Sequence, residues 1–313
     1  MGNCIHANKS RVTTLDFEEF EDLLANFTSN YTYDEYPSYD GILPEPCQFT
    51  YCLNFLSSIL ALLVVISLLG LVSSLALGLS LAKSPIMWKE RHPRKYQLFL
   101  MSGATGLFAA TLPFFAVGIK HGWVFGPHFC QVARALKFGC LFAQGLMVAG
   151  SACHMPSAIP HSIFLTVLWL LGFLCATPAI VISSPGDDCF SSLEPDLQLW
   201  SLAHILVSLA TFVILPLAML VTKVALKWHG ESKCIQLDLG WLFYIFWSPY
   251  GVVLLLDKLR QDGLITSTCR FQEHLDYFLG LSEGFGILHC FLLPLLILVS
   301  GICRRRISKA GGP

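Results

Sequence analysis

Charge is what this sequence has least of. Asp, Glu, Lys and Arg make up 13% of its 313 residues, whereas 54% are hydrophobic. Soluble domains carry about 25% charged residues, so this composition excludes an ordinary water-soluble globule. Net charge is also nearly absent, at -1, and no basic patch is left exposed, which excludes a nucleic-acid binder. No apolar run precedes Leu53, so no cleaved secretory leader is expected and the first apolar run must act as its own insertion signal. The opening Met1-Gly2-Asn3-Cys4-Ile5-His6 lacks the Ser or Thr that myristoylation requires at its sixth position. Catalytic signatures are missing too. There is no His-Glu-x-x-His, no Gly-x-Ser-x-Gly and no phosphate loop, so no enzyme activity, cofactor or metal is expected. A transporter would show repeats with helices broken in matching positions, and none is found.

What the chain has in abundance is long apolar runs. They cover 53–82, 96–119, 128–154, 162–184, 197–226, 237–256 and 275–302. About 20 apolar residues cross the hydrocarbon core of a bilayer. There every backbone polar group must be satisfied internally, so each run reads as a helix. The expected fold is an all-α membrane protein, a bundle of seven transmembrane helices over 53–303. An extracellular tail (1–52) precedes it and a short cytoplasmic tail (304–313) follows.

Orientation follows from the basic residues. Lys83, Lys89, Arg91, Arg94 and Lys95 follow the first run. Lys223, Lys227 and Lys233 surround the connection after the fifth, and Arg304, Arg305, Arg306 and Lys309 follow the seventh. With seven spans all of these fall on one side, which is therefore cytoplasmic, and the N-terminus lies outside.

The tail agrees. Asn8, Asn26 and Asn30 each begin an Asn-x-Ser/Thr glycosylation acceptor. Tyr31, Tyr33, Tyr36 and Tyr39 stand among Asp34, Glu35 and Asp40. This composition is expected to stay disordered, and tyrosines in such an acidic setting are candidates for sulfation. Cysteines on the outer side are Cys47 or Cys52, then Cys130, Cys189 and Cys269, where an oxidising exterior permits bridges. Cys130 opens the third helix and is paired with Cys189 in the second outer loop. Cys269, placed in the third outer loop, is paired with Cys47 in preference to Cys52, which sits at the edge of the first helix.

Seven spans with the N-terminus outside, and a bridge from the third helix to the second outer loop, resemble the rhodopsin-like receptors. Trp169 in the fourth span, Pro216 in the fifth, Phe246-Trp247-Ser248-Pro249 in the sixth and Pro294 in the seventh match that family's landmarks in order. Thr111-Leu112-Pro113 resembles the second-helix kink of chemokine receptors. The acidic tyrosine-rich tail and the Cys47–Cys269 bridge resemble their docking apparatus. Glu283, eleven residues before Pro294, stands where many of them place a pocket carboxylate. The opening Met1-Gly2-Asn3-Cys4, the run from Ile245 to Val253, Ser267-Thr268-Cys269, and the stretch from Ser282 to Cys290 are similar to the atypical chemokine receptors of the Duffy antigen type.

The departures from the larger family matter as much. Twenty-five residues beyond Cys130, His154-Met155-Pro156 replaces the Asp-Arg-Tyr that ends the third helix. Met155 cannot make the charge-assisted contacts of that Arg. Leu293-Pro294-Leu295-Leu296-Ile297 replaces Asn-Pro-x-x-Tyr, and Thr105 stands where the second helix has Asp. The resemblance therefore implies a receptor that binds several inflammatory CC and CXC chemokines and scavenges, buffers or transcytoses them without productive G-protein coupling. Its alternative is a conventional G-protein-coupled chemokine receptor. The tail, with Asp187 and Asp188 of the second outer loop and Glu283, is the expected chemokine-binding set. Glu283 has a second reading as the internal partner of Arg134 or Lys137, which lie at a similar depth. The same resemblance implies the plasma membrane and endosomes of erythrocytes and venular endothelium, and pairing with itself or with other chemokine receptors.

Overall fold

In the computed structural model, residues 52–83, 92–152, 160–182, 189, 198–228, 240–265 and 268–310 are described. The helices are α1 (Cys52–Lys83), α2 (His92–His121), α3 (Pro127–Ala152), α4 (His161–Cys175), α5 (Thr177–Ile182), α6 (Gln198–Leu209), α7 (Leu215–Trp228), α8 (Trp241–Gln261), α9 (Cys269–Ile287) and α10 (His289–Ala310). A π-helical turn, Ala210–Ile214, joins α6 to α7. These form seven segments long and apolar enough to cross a membrane, and no strand occurs among the described residues. The fourth span is α4 with α5, the fifth is α6 through α7, and the seventh is α9 with α10.

The bundle is apolar on both its faces, as a membrane core requires. Val72, Leu75 and Leu174 are about two-thirds exposed on the outside, where lipid replaces water. Inside, Phe108, Phe142, Phe212, Tyr244 and Trp247 are wholly buried. Small residues set the closest approach: a Cβ on Gly172 of α4 would run into the Ala143 backbone of α3.

Several boundaries differ from those read off the apolar runs. The sixth span continues past Leu256 to Gln261 because its polar outer turn bonds to itself. Arg260 Nη2 donates to Asp257 Oδ1 at 2.8 Å, Gln261 Nε2 to Asp257 Oδ2 at 2.8 Å, and Lys258 pairs with Asp262 at 2.8 Å. Such pairs one helical turn apart support a helix without apolar side chains. The seventh span begins at Cys269, so this cysteine is the first residue of a helix and not part of a loop. Thr268 caps it, its Oγ1 accepting from the Phe271 N–H. At the other end α10 runs on to Ala310, so most of the expected cytoplasmic tail continues the last helix.

Prolines within the spans free backbone carbonyls. A proline has no N–H for the carbonyl four residues before it. For Pro113, Pro216 and Pro294 those carbonyls belong to Ala109, Phe212 and Cys290, and the first two accept from a serine of a neighbouring span. Ser67 Oγ donates to Ala109 O at 2.8 Å and Ser248 Oγ to Phe212 O at 2.8 Å. Ser73 Oγ lies 3.5 Å from Cys290 O but donates to Gly70 O of its own helix at 3.1 Å. In the fifth span the backbone also widens, with the Leu215 N–H donating to Ala210 O five residues back.

Candidate ligand-binding face and the polar core beneath it

The outer end of the bundle is braced around the start of α3. Gly122 and Gly126 take positive φ (78° and 81°), which glycine adopts without steric cost. They fold the connection so that Trp123 Nε1 donates to Gly126 O at 2.8 Å. Phe114, Phe125 and Phe129 pack edge-on around this turn. Cys130 is bonded to Cys189, as the sequence leads one to expect, with Cα atoms 5.7 Å apart. Cys269 is also disulfide-bonded; its expected partner, Cys47, lies outside the described residues.

Two turns into α3, Arg134 Nη2 donates to Cys189 O at 2.6 Å and Nη1 reaches Ala179 O at 3.4 Å. This guanidinium ties the bridged cysteine and the end of the fourth span to the third. One further turn in, Lys137 Nζ meets Glu283 Oε1 at 2.6 Å, with both side chains mostly buried. The same ammonium lies 4.7 Å from the centre of the Phe115 ring, a favourable cation–π placement. Of the two cations at this depth, Lys137 therefore takes the carboxylate and Arg134 takes carbonyls.

Beneath this layer the polar side chains are neutral. Gln144, His289, Thr105 and Trp247 are all buried. His289 Nδ1 lies 3.0 Å from Trp247 Nε1, and its Nε2 lies 3.2 Å from Gln144 Oε1. A neutral imidazole with its proton on Nε2 satisfies both partners: it donates to Gln144 and accepts the indole N–H. Nδ1 also stands 2.7 Å from Gly286 O, the partner that the other tautomer would use. Thr105 Oγ1 donates to Met101 O at 2.8 Å and lies 3.3 Å from Gln144 Oε1. Gln144, His289 and Trp247 thus link the third, seventh and sixth spans, and Thr105 of the second packs beside Gln144 with its proton committed to its own helix. Gln144 Nε2 is buried and has no hydrogen-bond partner. Lower down, Tyr244 Oη donates to Gly145 O at 2.6 Å and Gln97 Nε2 to Met147 O at 3.0 Å.

Of the residues expected to bind ligand, only Glu283 is described. Tyr31, Tyr33, Tyr36, Tyr39, Asp34, Glu35, Asp40, Asp187 and Asp188 lie outside the described residues. So do the glycosylation acceptors Asn8, Asn26 and Asn30, and the His154-Met155-Pro156 segment. Among the described residues no His, Cys, Asp and Glu side chains gather as a metal site. Gln144 was not singled out by sequence, and His289 entered only within the stretch from Ser282 to Cys290, though it is a polar residue inside the apolar run 275–302. That interruption was the available signal, since a polar group in a membrane helix is costly unless it is paired.

No protein-family model matches the chain. Curated relatives do. The protein of Bos taurus named atypical chemokine receptor 1 is 30% identical over 306 residues, covering 95% of this chain and 90% of the relative. Proteins of that name from Macaca mulatta and Homo sapiens are each 30% identical over 307 and 318 residues, with the same coverage.

Proposed function

Since the chain belongs to the atypical chemokine receptor 1 family, we propose that it binds several CC and CXC chemokines at its outer face without activating G proteins. It then scavenges, buffers or transcytoses them. The observation that carries this reading is the neutral chain from Gln144 through His289 to Trp247. Charged and hydrated groups at mid-bundle would let an outer event reposition the inner ends. Here the centre is filled by mutually bonded neutral side chains between aromatic rings, with His289 set 5.6 Å from Phe108 and 5.4 Å from Phe243. Met155, in place of an arginine, removes the contact that a G protein would need at the inner end.

The outer half supports binding. Its bridged loop is anchored by Arg134, and the acidic tyrosine tail before Cys47 supplies a long-range attraction for basic chemokines. Such attraction raises the association rate more than the affinity. Sulfation of Tyr31, Tyr33, Tyr36 or Tyr39 would strengthen it, and glycans on Asn8, Asn26 and Asn30 would leave the tail extended. A ligand reaches Glu283 only by supplying a cation that replaces Lys137, which makes this carboxylate a contact of late-stage binding. Asp187 and Asp188 extend the negative field over the second outer loop. Residence in the plasma membrane, passage through endosomes, and association with a second receptor fit the same role.

The test is paired on one population of cells expressing the chain: labelled chemokine binding across a CC and CXC panel, and G-protein activation by the same ligands. Binding of several chemokines with no activation is expected. Binding with activation would favour a conventional signalling receptor, and no binding across the panel would overturn the proposal.

A further inference from the structure

The inner ends of α1 and α2 form a groove of about 280 Å³ lined by Leu81, Ala82, Lys95, Tyr96 and Phe99. It has one cationic group, and that group has no ion-pair partner among the described residues. Tyr96 is fixed in place. Thr166 Oγ1 donates to Ser162 O at 2.9 Å, so the Tyr96 hydroxyl donates to Thr166 Oγ1 at 2.9 Å and its ring forms one wall. Ala82 and Phe99 lie open toward the bilayer while Leu81 is buried behind them. In sequence the groove is flanked by Lys83, Lys89, Arg91 and Arg94, opposed only by Glu90. These are the basic residues that place this end of the bundle at the cytoplasmic leaflet.

We propose that the groove binds an anionic phospholipid of the inner leaflet, with the phosphate on the Lys95 ammonium and one acyl chain along Leu81, Ala82 and Phe99. The charge is complementary to the anionic lipids that concentrate in that leaflet. The apolar walls select a lipid over a soluble anion, because a hydrophilic phosphate ester leaves them unfilled. An aromatic ring held at the membrane interface beside a cation is the usual setting for a headgroup contact. Lys83 supplies the control: it ends α1 at the same level but does not line the groove.

The full chain is purified into nanodiscs of phosphatidylcholine alone or with phosphatidylserine, and thermal melting is followed. Phosphatidylserine is expected to raise the melting temperature by several degrees. Lys95→Gln loses most of that rise, whereas Lys95→Arg and Lys83→Gln keep it. Ala82→Trp, which fills the groove at a lipid-facing position and leaves the cation intact, loses the rise as well. Retention of the full rise in Lys95→Gln or Ala82→Trp would overturn the proposal. Equal losses in Lys83→Gln and Lys95→Gln would mean diffuse surface attraction and would overturn it too. So would an equal rise from soluble glycerophosphoserine added to phosphatidylcholine discs, since that would identify a free phosphate ester as the ligand.

Discussion

Lys137 and Glu283 meet at 2.6 Å across the third and seventh spans, one turn below the guanidinium that holds the bridged outer loop. Both come from elements that the sequence separates by more than a hundred residues. Their pairing changes what each can do: the carboxylate is not free, and the ammonium is held over the Phe115 ring.

Removing either partner strands the other in a mostly dry site, which is strongly destabilising, while removing both costs less than the separate losses together. Lys137→Met and Glu283→Gln are each expected to lower the unfolding midpoint of purified protein. The double variant should fall less than their sum, with a coupling of about 1–3 kcal/mol. Strict additivity would show that the pair contributes nothing.

The serine beneath Pro113 is tested by the proline itself. Ser67→Ala leaves the Ala109 carbonyl without a donor and should cost about 1 kcal/mol. In a Pro113→Ala background the helix regains its own N–H for that carbonyl, and the same serine change should cost much less. Equal costs in the two backgrounds would mean that Ser67 acts through packing alone.

At mid-bundle the order of effects is informative. His289 holds two polar partners and packs on Phe108 and Phe243, so His289→Ala removes hydrogen bonds and opens a cavity together. A loss of about 2–5 kcal/mol is expected. Gln144→Leu removes an amide whose Nε2 is already without a partner and should cost clearly less. Melting curves of the two variants decide, and a reversed order would be inconsistent with the assigned network.

Two glycines separate close packing from chain freedom. Gly172→Ala forces a Cβ against the Ala143 backbone and should drive the third and fourth spans apart, reducing surface expression. A Cβ on Gly103 would have nothing within 4 Å. There alanine is the better helix former by about 1 kcal/mol, so Gly103→Ala should leave expression unchanged or improved. Surface labelling of the two variants in parallel measures both outcomes.

The spans were legible because an apolar run of membrane length has few other uses, and the inner side because Lys and Arg cluster there. The bridge from Cys130 to Cys189 was legible for a similar reason, as both cysteines fall at the outer mouth. What escaped depended on distance in sequence. Nothing near Glu283 says that Lys137 and not Arg134 takes it; that follows from Arg134 sitting one turn further out, within reach of Cys189 O and Ala179 O. Gln144 meets His289 across 145 positions. The extra turn at the outer end of α8 was missed because it is stabilised by polar pairs where apolar counting sees only a boundary. A proline announces that a carbonyl will be freed, but the serine that meets it is chosen by packing.

That last point bears on how the bundle can move. A kink closed by a neighbour's hydroxyl is no longer a property of one helix. Straightening the second span at Pro113 must release Ser67 of the first, and straightening the fifth at Pro216 must release Ser248 of the sixth. The second and fifth spans are therefore not independent joints at their prolines, and a force applied there is delivered to the adjoining span before it travels along its own.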